Sequence, residues 1–375
     1  MYLVGGAVRD LLLGGQPYDL DLVVEGDAAG LARRLGGEHV VHGRFGTSTA
    51  SVGGFSYDIA RARTETYARP GALPDVAPAA LDEDLRRRDF TVNAIAIALG
   101  GPASGEISAA PRALDDLEHR RLRVLHDASF SDDPTRLLRL ARYHSRLGFG
   151  IEPGTRDLVR AAVHDGALQT VTGPRIGAEL RLLAREPDPV AALGSLRELG
   201  LDRAIDPRFE LDDPELARRA LALLPNDARP DRIALAVAAR RVPPAELSRL
   251  LDALAFEAGD RDAIVAAASR AEDLSRSLRE ATRPSEIAQA ASGSGPELVA
   301  LAGALGPAGA ARDWLTRLRH VELEIDGRDL IDHGVSEGPA VGRGLRAALA
   351  AKLDERASGR EAELAAALKA AEGHG

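Results

Sequence analysis

The amino-acid sequence predicts an α+β head followed by an all-α body. Up to about residue 100, short apolar runs alternate with turns that contain Gly, Pro and Asp, as in a sheet with short helices. From about Pro134 onward, Ala, Leu, Arg and Glu dominate and the apolar residues recur at helical spacing. A chain of 375 residues has room for roughly two or three compact domains.

The composition, with 45% hydrophobic and 28% charged residues, is typical of a soluble globular protein. The longest apolar runs, such as 94–99, are far shorter than the ~20 residues of a membrane helix. No charged and then apolar leader opens the chain, so we expect a cytoplasmic protein with no membrane partner. Because there is no Cys, disulfides, a thiolate nucleophile and Cys-based metal sites are excluded.

The net charge of −9 argues against a surface that binds nucleic acid all over, but it is compatible with a local basic groove. Aromatic residues make up only 3% of the chain, which argues against a sheet that stacks bases on aromatic rings. Any RNA binding would therefore use Arg side chains and backbone amides.

Within the head, periodicity and turn residues predict six strands and two helices. The predicted strands are 3–4, 20–24, 40–41, 51–52, 57–60 and 95–98, and the predicted helices are 8–13 and 28–35. Breaks in the pattern lie near 105–111, 185–189, 225–230 and 292–296. Residues 281–312 are rich in Ala and Gly, which is compatible with loose packing.

The first informative stretch joins a double glycine to a pair of aspartates. Gly5 and Gly6 stand between a predicted strand and a predicted helix, where backbone N–H groups can cradle a phosphate. Asp19 and Asp21 lie two apart in a predicted strand, so both carboxylates project from one face and can hold Mg²⁺. An isolated DxD is more often a pair of exposed strand residues, but the glycine turn beside it favours the metal site.

The second stretch supplies a further aspartate and a polar pair. Asp58 ends an apolar strand and is a third candidate metal ligand, with an ordinary strand-end aspartate as the competing interpretation. Asp89 and Asn93 form an i,i+4 pair in an otherwise apolar segment that follows three arginines at 86–88. Such a pair needs hydrogen-bond partners, and a ribose hydroxyl would serve. The arginine run has a simpler interpretation as a solvated basic turn.

The third stretch is a predicted helix with an arginine face. Pro134 fits the first helical position and Asp133 fits the N-cap. The arginines of this face fall within about a third of the helix circumference; they are Arg136, Arg139, Arg142 and Arg146. An all-arginine face is costly unless it meets anions or paired carboxylates, so this helix is the best candidate for nucleotide and RNA contact.

Near the C-terminus, Gly338-Pro339 and the segment 342–344 precede a strongly helical segment at 345–353. A turn there would present free N–H groups to a phosphate, and a plain loop between two packing helices is the competing interpretation. The glycines at 342–347 also suggest a dinucleotide-binding loop, but Gly338-Pro339 rather than a strand precedes them.

Together, the segments GGAVRD…DLD, RRDFTVNA and DDPTRLLRLARY resemble the signature motifs of the class II tRNA nucleotidyltransferase and bacterial poly(A) polymerase family. Shorter segments that look similar are 24–27, 44–47, 62–67, 326–331 and 338–342. The resemblance implies a polymerase-β-like nucleotidyltransferase head at 1–125. It also implies a helical neck at 126–185, which carries the base-selecting helix, and an all-α body and tail at 186–375 that binds tRNA.

The resemblance implies a role for each motif residue. Asp19 and Asp21 would be catalytic and would hold two Mg²⁺ ions, with Asp58 as an additional candidate ligand. The residues implied to bind the nucleotide are Gly5, Gly6 and Arg9 for the triphosphate, Arg88, Asp89 and Asn93 for the ribose, and Asp133, Arg136 and Arg139 for the base edge. Asp accepts from an exocyclic amine and Arg donates to a ring nitrogen or carbonyl, so this pair can select C or A. The implied RNA contacts are Arg142, Arg146, Gly338 and Gly342.

The sequence departs from the family pattern in four places. Asp132 stands where Glu is usual, and Pro174 stands where an acid is common in a later motif to which Arg175 and Glu179 belong. The segment 108–114 replaces a glycine-rich link, so the glycines that would make that joint flexible are missing. A short helix that often precedes the first strand is missing, which favours a start upstream of Met1.

The resemblance implies Mg²⁺-dependent addition of C and A nucleotides from CTP and ATP, as CCA or A alone, to the 3′ end of tRNA. A bacterial poly(A) polymerase acting on other RNA 3′ ends is the first alternative, and nothing in residues 130–145 excludes it. A catalytically inactive RNA-binding relative is the second, and the intact motif residues argue against it. The sequence does not separate addition of CCA, of CC and of A alone.

Overall fold

A computed structural model describes residues 1–17, 19–35, 38–42 and 47–372. The predicted family segment 44–47 therefore lies largely outside the described residues. The chain divides into two compact units, Met1–Pro207 and Arg208–Gly375. No helix among the described residues is both long enough and apolar enough to cross a membrane.

The first unit contains the described strands. They are β1 (Tyr2–Val4), β2 (Leu20–Val24), β3 (Glu38–His42), β4 (Thr47–Val52), β5 (Phe55–Arg61), β6 (Arg63–Thr66), β7 (Asp75–Pro78), β8 (Ile95–Ala98), β9 (Ile107–Ala109), β10 (Arg121–Leu122) and β11 (Gly150–Ile151). Its helices are α1 (Gly6–Leu12), α2 (Ala28–Leu35), α3 (Leu81–Arg86), α4 (Ala113–Glu118), α5 (Ser129–Asp132), α6 (Thr135–Leu147), α7 (Pro153–His164), α8 (Gly173–Ala184), α9 (Pro189–Glu198) and α10 (Asp202–Ile205). Two 3₁₀ helices, Thr91–Asn93 and Ala167–Thr170, complete it.

Seven strands form one sheet in the order β3-β4-β5-β2-β1-β8-β9. The pair β2–β5 is parallel, and the other neighbours are antiparallel. Apolar residues of this sheet pack against α3 in a buried cluster that includes Val4, Val23, Leu85 and Ala94. The predicted α+β head with a helical continuation is confirmed, and each of the six predicted strands coincides with or lies within a strand of this sheet.

The sheet places the motif segments next to one another. β1 and β2 carry the first motif, and β5 lies beside β2 with Asp58 in register with Asp21. β8 follows the second motif and pairs with β1 on its other side. Because β2 lies between β1 and β5, residues far apart in the sequence meet at one edge of these central strands.

The second unit is all-helical in the described residues. Its helices are α11 (Pro214–Leu223), α12 (Pro230–Ala238), α13 (Pro244–Ala253), α14 (Ala258–Glu280), α15 (Pro284–Ala290), α16 (Pro296–Ala304), α17 (Ala308–Thr316), α18 (Gly327–Asp332), α19 (Pro339–Leu353) and α20 (Arg360–Glu372), with a 3₁₀ helix at Leu318–His320. Many begin with Pro, whose fixed φ suits the first helical turn.

The Ala- and Gly-rich segment 281–312 packs closely, contrary to expectation. Leu298, Val299 and Leu301 of α16 are fully or almost fully buried. A Cβ added at Gly303 would lie 2.3 Å from the Cβ of Ala311, so only glycine allows α16 and α17 to approach this far. Small residues here permit close helix contact rather than leaving gaps.

Candidate active site

A cavity of about 560 Å³ in the first unit collects residues from all three motifs. The predicted site residues that line it are Asp21, Asp58, Arg88, Asp89, Asp133, Arg136 and Arg139. They come from β2, β5, the segment after α3 and the start of α6, so the cavity is formed where the sheet meets the helices that follow it.

Carboxylates cluster at one side of the cavity. Asp21 and Asp58 are paired residues of the parallel strands β2 and β5, and Thr49 Oγ1 donates to Asp58 Oδ1 at 2.7 Å. Burial raises the pKa of Asp21; the Arg88 guanidinium counteracts this, and the charges of Asp58 and Asp19 add to the increase. Asp19 lies one residue before β2 and is exposed, so the predicted pair spans the start of the strand rather than lying within it.

This cluster fits the donor chemistry of a divalent metal. Mg²⁺ is usually held by one or two carboxylates together with substrate phosphates and water. Asp21 supplies such a carboxylate, and the repulsion it receives from Asp58 and Asp19 is relieved by a bound cation. No group of three His, Asp or Glu side chains among the described residues is arranged to hold a metal ion alone.

Gly5 allows the first two motifs to meet. Its φ of +72° is a conformation that glycine adopts without strain, and a Cβ there would lie 2.9 Å from Arg88 Nη1 and 3.6 Å from Asp21 Oδ2. The Gly5 N–H donates to Ile95 O at 3.1 Å, so that group is not available to a phosphate. The N–H groups that remain for a phosphate are those of the first turn of α1, because they have no acceptor within the helix.

Arg9, which the family resemblance assigns to the triphosphate, lies in the interior instead. It is only 2% exposed; its Nε donates to Asp10 Oδ1 at 2.8 Å and its Nη1 to Asn93 Oδ1 at 2.7 Å. Arg9 is absent from the described lining of the cavity. Its guanidinium therefore orients Asn93, and this placement argues against direct contact with a triphosphate.

Asp89 and Asn93 form the buried pair that their spacing predicts. Asn93 Nδ2 donates to Asp89 Oδ1 at 3.0 Å, and Arg139 of α6 donates to Asp89 Oδ2 from Nε at 2.9 Å and Nη2 at 2.6 Å. Burial alone would raise the pKa of Asp89, but Arg139 and Asn93 outweigh burial and hold it well below its ordinary value. Protein groups thus donate to both oxygens of Asp89 and favour its carboxylate form.

Asp84 is a residue beside the site that the three motifs do not include. It is fully buried, and it accepts from Arg87 Nη2 at 2.7 Å and from Arg88 Nη2 at 3.1 Å. Burial would raise the pKa of Asp84, but these two arginines hold it below its ordinary value. Its spacing of three and four residues from the two arginines was the available signal.

Asp133 and Arg136 stand at the start of α6. The helix begins at Thr135, one residue later than predicted, although Pro134 already has helical angles. The N-cap is therefore Pro134 and not Asp133 as predicted, but Asp133 Oδ1 still accepts from Thr135 N at 3.1 Å and from Arg175 Nη2 at 2.8 Å. No hydrogen bond to Asp133 Oδ2 is formed within the described part of the chain. Arg136 donates to Ser129 Oγ at 2.7 Å and to Arg87 O at 2.8 Å, which fixes its orientation.

The rest of the arginine face meets carboxylates. Arg142 is 8% exposed and lies 3.5 Å from Glu179 and 3.7 Å from Glu186. Arg146, about half exposed, lies 4.0 Å from Glu186. An all-arginine face is stable when it meets either anions or paired carboxylates, and carboxylates are what these arginines meet. Burial of Arg142 argues against direct RNA contact, while Arg146 stays accessible.

Gly342 and Gly344, near the C-terminus, lie within a helix rather than in the predicted turn before it. α19 begins at Pro339, after Gly338 with a φ of +122°, and therefore includes Gly342 and Gly344. A Cβ at Gly344 would lie 2.6 Å from Leu330 Cδ2 and 2.8 Å from Ala367 O. This glycine serves close helix packing, and the dinucleotide-binding interpretation of 342–347 fails because the segment is helical.

Comparison with known protein families and sequences gives three findings. Residues 1–123 match the poly A polymerase head domain family. The CC-adding tRNA nucleotidyltransferase of Deinococcus radiodurans is 35% identical over 360 residues, which are 92% of this chain and 82% of that protein. The A-adding tRNA nucleotidyltransferase of Geobacter sulfurreducens is 43% identical over 216 residues, 56% of this chain and 24% of that protein.

A solved structure, the Thermotoga maritima CCA-adding enzyme complexed with tRNA, is similar with a TM-score of 0.79 and 30% identity. The similarity covers 99% of this chain and 91% of that one. Against the curated A-adding relatives, in contrast, the chain spans only between about a quarter and a half of their length.

Proposed function

The chain belongs to the family of tRNA nucleotidyltransferases and bacterial poly(A) polymerases, and from this premise we propose that it adds C and A nucleotides to the 3′ end of tRNA without a nucleic-acid template. The observation that carries the proposal is the shared cavity: the carboxylates Asp21 and Asp58 line it together with the base-edge pair Asp133 and Arg136. CTP and ATP are the proposed substrates.

The cavity supplies the parts of a nucleotidyl transfer. Asp19 and Asp21, with Asp58 beside them, are the residues that would hold divalent metal, and we infer two Mg²⁺ ions. When bound, such ions activate the attacking hydroxyl and neutralise charge on the leaving pyrophosphate. Arg88, which is held near Gly5 by Asp84, adds a fixed positive charge on the same side.

Base selection is the task proposed for Asp133 and Arg136, which line the same cavity. Asp133 Oδ2 can accept from an exocyclic amine, and the anchored guanidinium of Arg136 can donate to the neighbouring ring atom. Cytosine and adenine both present an amine beside an acceptor. Asp89 and Asn93, held by Arg139 and Arg9, are proposed to face the ribose.

One observation favours a narrower activity. The Deinococcus relative, which matches over both units, is named a CC-adding enzyme. Addition of CC alone is therefore the second candidate. A poly(A) polymerase acting on other RNA 3′ ends is supported only by the family that matches the head.

The decisive experiment supplies purified protein and Mg²⁺ with tRNA that ends before the first C, after CC, or after CCA. CTP and ATP are offered singly and together, and products are resolved at single-nucleotide length. Addition of one to three nucleotides that stops at a fixed end supports the proposal and distinguishes CCA, CC and A addition. Long A tails on unrelated RNA would establish the polymerase alternative.

A pair of variants tests whether the measured activity comes from this protein or from a contaminating host enzyme. Asp21→Ala should lower addition by about 10³-fold or more, because a metal ligand is lost. The exposed Asp157 of α7 provides the control, and Asp157→Ala should leave the rate unchanged. Activity of Asp21→Ala within tenfold of wild type would contradict the assignment of the metal site.

A further inference from the structure

The ring of Tyr143 contacts three arginines beside the cavity. The guanidinium carbons of Arg9, Arg139 and Arg142 lie 5.4, 5.6 and 4.9 Å from the ring centroid. A cation within about 6 Å of a ring centroid is attracted to the negative face of the ring, and the attraction grows when the pair is shielded from water. A single aromatic residue therefore contacts cations from both α1 and α6.

The same arginines belong to one chain of hydrogen bonds. The chain runs in the order Arg9, Asn93, Asp89, Arg139, Glu179 and Arg142, with donor–acceptor distances between 2.6 and 3.5 Å. Arg9 and Arg142 are the two ends of this chain and Arg139 lies between them. Both ends and the middle of the chain therefore contact the same ring. Of its members, Asp89, Arg139 and Glu179 line the cavity.

The face of the ring, rather than its hydroxyl, provides most of this contact. The hydroxyl accepts one bond, from Arg139 Nη2, and its length of 3.3 Å indicates a weak interaction. Phe90 packs edge-on against the same ring, with centroids 5.9 Å apart at 87°, and its N–H donates to Asp89 Oδ1 at 2.8 Å. The ring is thus fixed from one side by Phe90 and holds the guanidinium groups in turn.

We propose that Tyr143 is a positioning residue for nucleotide binding. Its ring keeps Arg139 directed at Asp89, which lines the cavity, and Arg9 directed at Asn93, which donates to Asp89, so that the Asp89 carboxylate is held where the ribose of the incoming nucleotide is proposed to bind. This proposal rests on the proposed function only in naming the ribose as the group recognised. Loss of the ring face should allow the guanidinium groups to turn away, which weakens recognition of the 2′-hydroxyl first.

The test compares Tyr143→Phe, which keeps the ring, with Tyr143→Leu and Tyr143→Met, which remove it. Steady-state addition to tRNA gives kcat and KM for CTP and for 2′-deoxy-CTP. Calorimetry gives the affinity of each full-length protein for the same two nucleotides without tRNA. Phe149→Leu is the control, because it removes a buried ring just after α6. Thermal unfolding of every variant confirms that it is folded.

We expect Tyr143→Leu and Tyr143→Met to raise KM for CTP about tenfold, with a smaller change in kcat, and to reduce the preference for CTP over deoxy-CTP by a similar factor. Tyr143→Phe and Phe149→Leu should keep the wild-type preference. A folded Tyr143→Leu with unchanged preference would overturn the proposal, and so would a Tyr143→Phe that behaves like Tyr143→Leu. If the wild type adds no nucleotide to tRNA, the proposed function fails, and the binding measurements still decide the role of Tyr143.

Discussion

At the scale of single residues, base selection depends on groups that the protein holds in place before a nucleotide arrives. Arg136 is only 5% exposed and has its two Nη groups bonded to Ser129 and to the Arg87 carbonyl. Asp133 has one oxygen bonded to Thr135 and Arg175. Such fixed donors and acceptors discriminate between bases because a wrong base leaves them unpaired.

Arg136→Ala should therefore relax the choice of nucleotide more than it weakens binding of the triphosphate. We expect the ratio of kcat/KM for CTP and ATP over that for UTP and GTP to fall about tenfold or more, the scale of one lost charge-assisted hydrogen bond. Kinetics with all four nucleotides measure it. Arg160→Ala, at an exposed position of α7, is the control. Unchanged ratios would show that Arg136 has only a structural role.

The lowered pKa of Asp89 leads to a prediction about how the stability of the fold depends on pH. Its pKa in the folded protein is held below the ordinary value, because Arg139 and Asn93 outweigh burial, so the unfolded chain binds the proton more readily. The contribution of Asp89 to stability is present above about pH 4, the usual range of an unfolded Asp, and is lost as pH falls toward the folded pKa.

Asp89→Asn should accordingly lower the free energy of unfolding at pH 7 by about 2 kcal/mol, since the partly buried Arg139 guanidinium loses the charge of the carboxylate that it binds. Denaturant unfolding of both proteins at pH 7 and below pH 4 measures the difference. The gap should narrow at the acidic pH. A gap that is constant or wider in acid would show that the charge of Asp89 does not stabilise the fold.

At the scale of elements, the sequence predicts what local patterns specify. Periodicity and turn residues indicate the strands around Asp21 and Asp58, and Pro134 marks the start of α6 to within one residue. The hairpin β6–β7 was missed because its strands are short and polar and one contains Pro. The partners of Arg9 and Arg142, which are Asn93 and Glu179, could not be predicted because they are far away in the sequence and only the fold brings them together.

The glycines of α19 give a prediction that separates packing from flexibility. Gly344→Ala should destabilise the second unit, because the new Cβ meets Leu330 and a backbone oxygen at less than 3 Å. Gly342→Ala places its Cβ 3.3 Å from Arg346 Nη1, at the far end of a long side chain, and should instead stabilise the helix by about 0.5–1 kcal/mol. Thermal unfolding of the two variants checks this. If both variants shift the midpoint of thermal unfolding equally, Gly344 is not required for close helix packing.

At the scale of the whole molecule, a net charge of −9 limits where RNA can bind. The last three helices, α18 to α20, share a hydrophobic cluster that includes Ile325, Leu330, Ala348 and Ala367. A chain cut near Pro307 would expose α16, which is buried against α17. A cut after Val321 removes the helices of that cluster together and leaves α16 covered. This cut also breaks the two hydrogen bonds that Ser285 donates to Asp354, and both of these residues are polar.

The chain shortened after Val321 should bind full-length tRNA more weakly than the complete protein while still extending a short acceptor-stem mimic slowly. The reason is that catalysis is proposed to reside in the first unit, whereas the family resemblance assigns tRNA contact to the C-terminal region. Filter binding at several salt concentrations measures affinity, which should fall with added salt for the complete chain, since phosphate contacts displace counterions. Circular dichroism establishes that the shortened chain is folded. Equal tRNA affinity of the folded short chain would mean that α18 to α20 serve only as a structural cap, and that recognition depends on the residues before them.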